Sequence, residues 1–139
     1  MVREIVKDTE ILQQISVKAT PKSEELKQVI QDLTDTAWEH KERCVGLSAI
    51  QIGKPLRVFV AFTGEKFIPF VNPLITRYLG EVYETEESCM SLEGSRKVTR
   101  YSEIEIMHQK GTFYVRDRYR GFFAEIIQHE MDHLSGNLI

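Results

Sequence analysis

Gly121 to Gly136, reading GFFAEIIQHEMDHLSG, constrains this chain more than any other stretch. Phe122, Phe123, Ile126, Ile127, Met131 and Leu134 are too many for one narrow apolar stripe, and a helix that is apolar nearly all round is a buried one. Gly136 is the C-cap signal that ends it. Yet the same helix carries His129, Glu130 and His133. Imidazole and carboxylate groups buried without partners are costly. The fold must therefore wrap a helix that carries its own polar cluster inside, and something must satisfy that cluster.

His129-Glu130-Met131-Asp132-His133 is an HExxH run. Residues at i and i+4 stand one above the other on a helix face, so two imidazoles can reach one cation. A divalent metal lowers the pKa of a water it binds from about 15.7 to about 7 in favourable sites, and Glu130, beside that face, can accept the proton. HExxH fixes only three residues and recurs in unrelated helices, so by itself it leaves a metal site and a chance match about equally expected. Burial raises the first reading, because a metal satisfies all three groups at once. A catalytic site also needs a third protein ligand. Only Leu134 to Ile139 follow, and among them Ser135 and Asn137 are at best weak ligands, so the third comes from upstream. Cys89, His40, His108 and several carboxylates are candidates. Cys89 is favoured because thiolate is a strong ligand for zinc or ferrous iron. It also lies in a polar segment, ETEESCMSLEG, where a packing cysteine is less expected.

The rest of the chain predicts one α+β domain spanning residues 1–139, with mainly antiparallel sheets packed around the buried C-terminal helix and one N-terminal helix. Glu24 to Lys41 has Leu26, Val29, Ile30, Leu33 and Trp38 at helical spacing. RVFVAF, from Arg57, alternates Val58, Val60 and Phe62 on one face, as a strand does. Gly64-Glu65 is a turn candidate. Phe67 to Tyr78 reads as an extended region broken by Pro69 and Pro73. Ser102 to His108 and Thr112 to Tyr119 read as strands joined at Lys110-Gly111. No regular βαβ alternation appears, which favours α+β over a doubly wound sheet.

Charge narrows the partners. The net charge of −3 over 139 residues, with signs interspersed, gives no electrostatic reason to bind nucleic acid or an anionic membrane. Met1 to Gln14 has charges every few residues and no apolar core of signal-peptide length, and no run is long enough to cross a membrane, so the cytoplasm is the expected location. Cys44 and Cys89 do not make a disulfide framework.

Three short motifs now stand in order: Gly46-Leu47-Ser48-Ala49-Ile50-Gln51, Glu87-Ser88-Cys89-Met90-Ser91, and Gln128 to Gly136 reading QHEMDHLxG. In these the chain resembles peptide deformylases, metal hydrolases that remove the N-formyl group from nascent proteins. The likeness runs nearly the full length, through Asn72-Pro73 and Arg100. The resemblance implies that Cys89, His129 and His133 bind one divalent metal, Fe²⁺ by family preference, with Ni²⁺, Co²⁺ or Zn²⁺ as substitutes. Glu130 would take a proton from the metal's water and deliver it to the leaving amine. The Gln51 amide and the Met90 backbone N–H would stabilise the oxyanion. Val45, Gly46, Glu87, Phe122, Glu125 and Ile126 would line the substrate site. N-formyl-methionyl nascent peptides would bind extended, as an added strand. With only three residues after Gly136, ribosome docking through a C-terminal helix is not expected.

The chain also departs from the pattern. Cys44 stands where the first motif usually begins with glycine, Ser48 where it has alanine, and Ser88 where glycine precedes the cysteine. If position 88 needs a positive φ, serine would strain the loop. Glu125 replaces an apolar residue in the wall of the methionine pocket. Either it polarises that pocket and shifts preference away from methionine, or its carboxylate reaches solvent at the rim. Glu86, Glu87 and Arg100 are candidates for an ion pair behind the cysteine loop, and Asp132 for orienting the histidines. The competing readings are a hydrolase of another N-acyl substrate, a metal-holding protein without turnover, and an ordinary metalloendopeptidase. The upstream cysteine weakens the last.

Overall fold

Helix formation near the N-terminus begins with a cap. The computed structural model describes residues 1–139, and in it the Leu26 amide donates to Ser23 Oγ at 3.1 Å, satisfying one of the free donors that open any helix. The helix so started, α2, runs Glu24–Glu39. A four-residue helix, α1 (Thr9–Leu12), precedes it and is capped by Asp8. The strands are β1 (Gly46–Ser48), β2 (Val58–Phe62), β3 (Phe67–Glu87), β4 (Arg96–Lys110) and β5 (Phe113–Arg120), with a 3₁₀ turn at Ala49–Ile52 after β1. The last helix, α3, is Gly121–Leu134. The strands form one antiparallel five-stranded sheet in the order of the chain, rather than several sheets. Two helices join α2 in place of the single N-terminal one expected apart from α3: α1 and the 3₁₀ turn.

Two cores meet across β2. Val58 and Val60 pack with Leu26, Val29 and Leu33 of α2. Phe59 and Ala61 pack with Ile126, Ile127 and Leu134 of α3. The simple alternation read from RVFVAF is therefore incomplete, because helices cover both faces of this strand and leave Val58 to Ala61 buried. Burying each large apolar side chain contributes about 1.5–3 kcal/mol, so α3 is fixed firmly against the sheet. It is not buried all round, however. Phe122, in its first turn, is 62% exposed.

The long hairpin differs most from expectation. Pro69 and Pro73 do not end β3, which continues for 21 residues. Its pairing with β4 slips between Val71 and Leu74, between Ile75 and Arg77, and between Leu79 and Val82. Pro73 falls inside the first slip, where a missing amide donor costs least. Asn72 beside it adopts φ 48°. Its buried side chain accepts from the Ala19 amide at 2.8 Å and donates to the Ala19 carbonyl at 2.9 Å, which anchors the segment before α2 to the strand. By running on to Glu87, β3 delivers Ser88 and Cys89 toward α3. At the other end of α3, Gly136 has φ 79°, and a Cβ there would collide with the Gln13 carbonyl. Only glycine suits that turn.

Candidate active site

Four elements converge on one cavity of about 240 Å³. Gly46 and Val45 reach it from the edge of β1, Glu87 from the end of β3, Cys89 and Met90 from the loop that follows, and His129, Glu130, Ile126, Glu125 and Phe122 from α3. Of the cysteine and histidines considered upstream, only Cys89 borders it. His40 caps the end of α2, and His108 is buried against Phe70 and paired with Asp117 at 2.9 Å. Gln51 and His133 do not line this cavity but are buried behind it.

The two histidines of α3 lie with ring centroids 5.0 Å apart, as the i, i+4 spacing requires. Their surroundings differ. His129 Nδ1 is 2.8 Å from Glu87 Oε1, and Cys89 lines the same cavity. Burial pulls the His129 pKa down, but Cys89, Glu87 and the charge of Glu130 outweigh it and raise it to about 10. The Cys89 thiol is raised by burial and lowered more by His129 and by the backbone of Ser91 and Leu92, for a net fall. His133 is pushed down to about 3, first by burial and then by the nearby charge of His129. Neither of its ring nitrogens has a hydrogen-bond partner.

That orphaned imidazole is the test of whether the residues suit a metal. A buried neutral imidazole leaves both an acceptor and a donor to be satisfied, and a metal ion takes the acceptor. Thiolate and imidazole are together a donor set for late transition metals. No group of three His, Cys, Asp or Glu side chains is set in ready ligating geometry. The fit therefore rests on donor chemistry and on His133.

Glu130 is buried beneath the cavity floor. Burial raises its pKa, against the opposing pull of His129 and Ser48. Ser48 Oγ donates to Glu130 Oε1 at 2.7 Å, a contact that sequence reasoning treated only as a departure from alanine. Gly46 is explained by the same carboxylate. A Cβ there would lie 2.7 Å from Glu130 Oε2 and 3.0 Å from Ile126 Cγ2. The close approach that requires glycine here is made by α3.

Gln51 is fixed by its own turn. Its Oε1 accepts from the Ser48 amide at 3.0 Å, and its Nε2 donates to Ser91 Oγ at 3.1 Å. One Nε2 hydrogen remains for another acceptor.

Behind Cys89, His129 and His133 stands a chain of charges. Arg100 Nη2 and Nε donate to Glu87 Oε1 and Oε2 at 2.7 and 3.0 Å. Arg100 Nη1 donates to Asp132 Oδ2 at 2.8 Å. Glu87 is thereby held well below the usual carboxylate range, with Arg100 and His129 overcoming its burial. Glu87 borders the cavity, but its oxygens are engaged by Arg100 and His129. The Asp132 carboxylate bonds Arg100 and the Asn137 amide rather than a histidine. Glu86 is exposed and makes no ion pair with Arg100. Ser88 does not have a positive φ, so serine brings no strain there. Cys44 and Cys89 are both free. Burial and the nearby Glu130 push the Cys44 thiol up to about 12, which suits a packing role. Tyr83 was not foreseen: its hydroxyl donates to Glu125 Oε1 at 2.9 Å.

Comparison with known proteins agrees with this geometry. The family model for polypeptide deformylase matches residues 2–139. A peptide deformylase of Clostridium beijerinckii is 44% identical over 140 residues, covering 100% of both chains. One from Caulobacter vibrioides is 36% identical, covering 94% of this chain and 79% of its own. Among solved structures, an actinonin-bound class I type b peptide deformylase from Acinetobacter baumannii superposes with a TM-score of 0.89 at 28% identity, covering 99% of this chain and 95% of that one. The Thermotoga maritima enzyme gives a TM-score of 0.89 at 31% identity, covering 99% and 94%. A match across essentially the whole chain, in sequence and in fold, settles the relationship: this chain belongs to the peptide deformylase family, metal-dependent hydrolases that remove the N-formyl group from nascent proteins.

Proposed function

We propose that this chain deformylates N-terminal formyl-methionine with Cys89, His129 and His133 holding Fe²⁺ as the native metal, for which Ni²⁺, Co²⁺ or Zn²⁺ can substitute. The observation that carries the ligand assignment is the buried His133 imidazole without a partner, one turn from His129, which lines the cavity with Cys89. When bound, such a metal supplies Lewis acidity toward water and the formyl oxygen.

The chain's own residues supply the rest. Ser48 occupies Glu130 Oε1, which leaves Oε2, beside Gly46, as the oxygen that accepts a proton from the attacking water. The raised pKa of Glu130 favours this, because a stronger base takes the proton more readily and the same group then hands it to the leaving amine. The spare hydrogen on Gln51 Nε2 and the Met90 backbone N–H donate to the developing oxyanion, each worth about 3 kcal/mol in comparable acyl-transfer sites. β1 pairs only with β2. Its other edge, near Val45 and Gly46, is free to take an extended peptide as an added strand. Val45, Phe122 and Ile126 give the first side chain apolar walls. No helix is long and apolar enough to cross a membrane, and the reading sets the enzyme in the cytoplasm with newly made chains as substrates.

Metal analysis of anaerobically purified protein tests the ligand set. The wild type is expected to hold about one metal per chain, and Cys89→Ala and His133→Ala to hold much less while remaining folded by circular dichroism. Full metal content in either variant contradicts the assignment.

A further inference from the structure

The cavity beside Glu130 has a charged wall that the deformylation chemistry leaves unused. Glu125 lies four residues before His129 on α3, on the same helix face. It lines the cavity together with Val45, Phe122 and Ile126. Its Oε1 accepts the Tyr83 hydroxyl at 2.9 Å, which steadies the carboxylate from β3. That partner is neutral and cancels no charge.

No cation of the chain pairs with Glu125. The ion pairs near the site join Arg100 to Glu87 and Asp132. Arg43, the one arginine lining the cavity, makes no ion pair with Glu125, and the His129 ring is engaged by Glu87. Glu86, Glu87 and Glu130 also line the cavity, with Arg43 and His129 as the cationic groups, and Arg100 neutralises Glu87. Burial and the adjacent Glu87 raise the Glu125 pKa, against the pull of Tyr83 and Arg100. The pocket thus has apolar sides and, in one wall, a carboxylate that no cation of the chain pairs with directly. A long aliphatic side chain ending in an ammonium matches both, its methylenes against the apolar sides and its head on the carboxylate.

We propose that Glu125 is a specificity-determining residue that admits N-formyl peptides whose first side chain ends in a cation, alongside methionine. This rests on the deformylase reading, since it concerns the same pocket. The mouth of the cavity is open enough to leave Phe122 62% exposed. Solvent therefore weakens the ion pair, and the discrimination it provides is about fivefold rather than a thousandfold.

The test is kcat/KM of the metal-loaded enzyme on formyl-Lys-Ala-Ser and formyl-Met-Ala-Ser, for wild type, Glu125→Gln and Glu125→Ile. The glutamine variant keeps the size and the Tyr83 contact, so it separates charge from folding. The expected result is a lysine-to-methionine ratio that falls about fivefold in Glu125→Gln and further in Glu125→Ile. Added salt lowers the wild-type ratio but not that of the glutamine variant. An unchanged ratio in both variants, with formyl-methionine still turned over, overturns the proposal alone and puts the carboxylate at the rim. No turnover of either peptide by the wild type overturns the deformylase reading and this proposal with it.

Discussion

Gly46 is the position where a single methyl group does most harm. The space for a Cβ is already filled by Glu130 Oε2 and Ile126 Cγ2. Gly46→Ala must move one of them, and overpacking of this kind costs about 1–3 kcal/mol. Because the nearer atom belongs to the group assigned to proton transfer, the variant is expected to remain folded while kcat falls by about tenfold or more. Steady-state kinetics beside a thermal melt reads both, and wild-type kcat would contradict the contact. Ser48→Ala removes a donor to the same carboxylate and is expected to cost about 1–3 kcal/mol, measured by urea unfolding. The motif containing Gly46 was legible in the sequence, but the reason for the glycine was not. Periodicity cannot reveal that a helix from the far end of the chain lies against β1.

At the scale of elements, Arg100 on β4 joins the end of β3 to α3. It bonds Glu87, which touches His129, and Asp132, one residue before His133. Arg100 and Glu87 side chains are each only 7% exposed. Arg100→Met leaves the Glu87 carboxylate buried without its cation, a change that typically costs 3–5 kcal/mol, so about that loss is expected in urea unfolding. A loss below about 1 kcal/mol would show that the pair is merely a surface contact. The helices α2 and α3 and the core of β2 were readable because their apolar spacing is local. The length of β3 was not. Its prolines signal a break, and only pairing with β4 shows that the register slips absorb them. α1 is four residues in a charged stretch, too short for any period to register. The Glu87–His129 and Tyr83–Glu125 contacts each span 42 positions, so the roles of Glu87 and Tyr83 depend on topology that no short window contains.

Across the whole molecule, the N-terminal segment closes the fold. Arg3 Nε donates to Asp32 Oδ2 at 2.9 Å, Gln28 donates to Asp32 Oδ1 at 2.8 Å, and the Val6 amide donates to the Gln51 carbonyl at 2.8 Å. Burial works to raise the Asp32 pKa, but Arg3 and Gln28 outweigh it and set it below the ordinary 3.8. A carboxylate with a depressed folded-state pKa stabilises the fold above its unfolded pKa and loses that contribution as pH falls through the folded value. Asp32→Asn is therefore expected to lower stability at neutral pH by about 1 kcal/mol, with the difference from wild type closing as pH drops below 3.8. A difference that persists undiminished in acid would assign the effect to packing instead. The α+β class and the three ordered motifs came from sequence because each is a local pattern. The cavity did not, because β1, β3, the cysteine loop and α3 meet only in three dimensions. The measurement that bears most directly on the whole account is formate release from formyl-Met-Ala-Ser by anaerobically purified protein supplied with Fe²⁺ or Ni²⁺, beside Glu130→Ala. Release by the wild type is expected, with a fall of about 10² or more in the variant. Equal rates from the two proteins, or no release from wild type carrying one metal per chain, would contradict it.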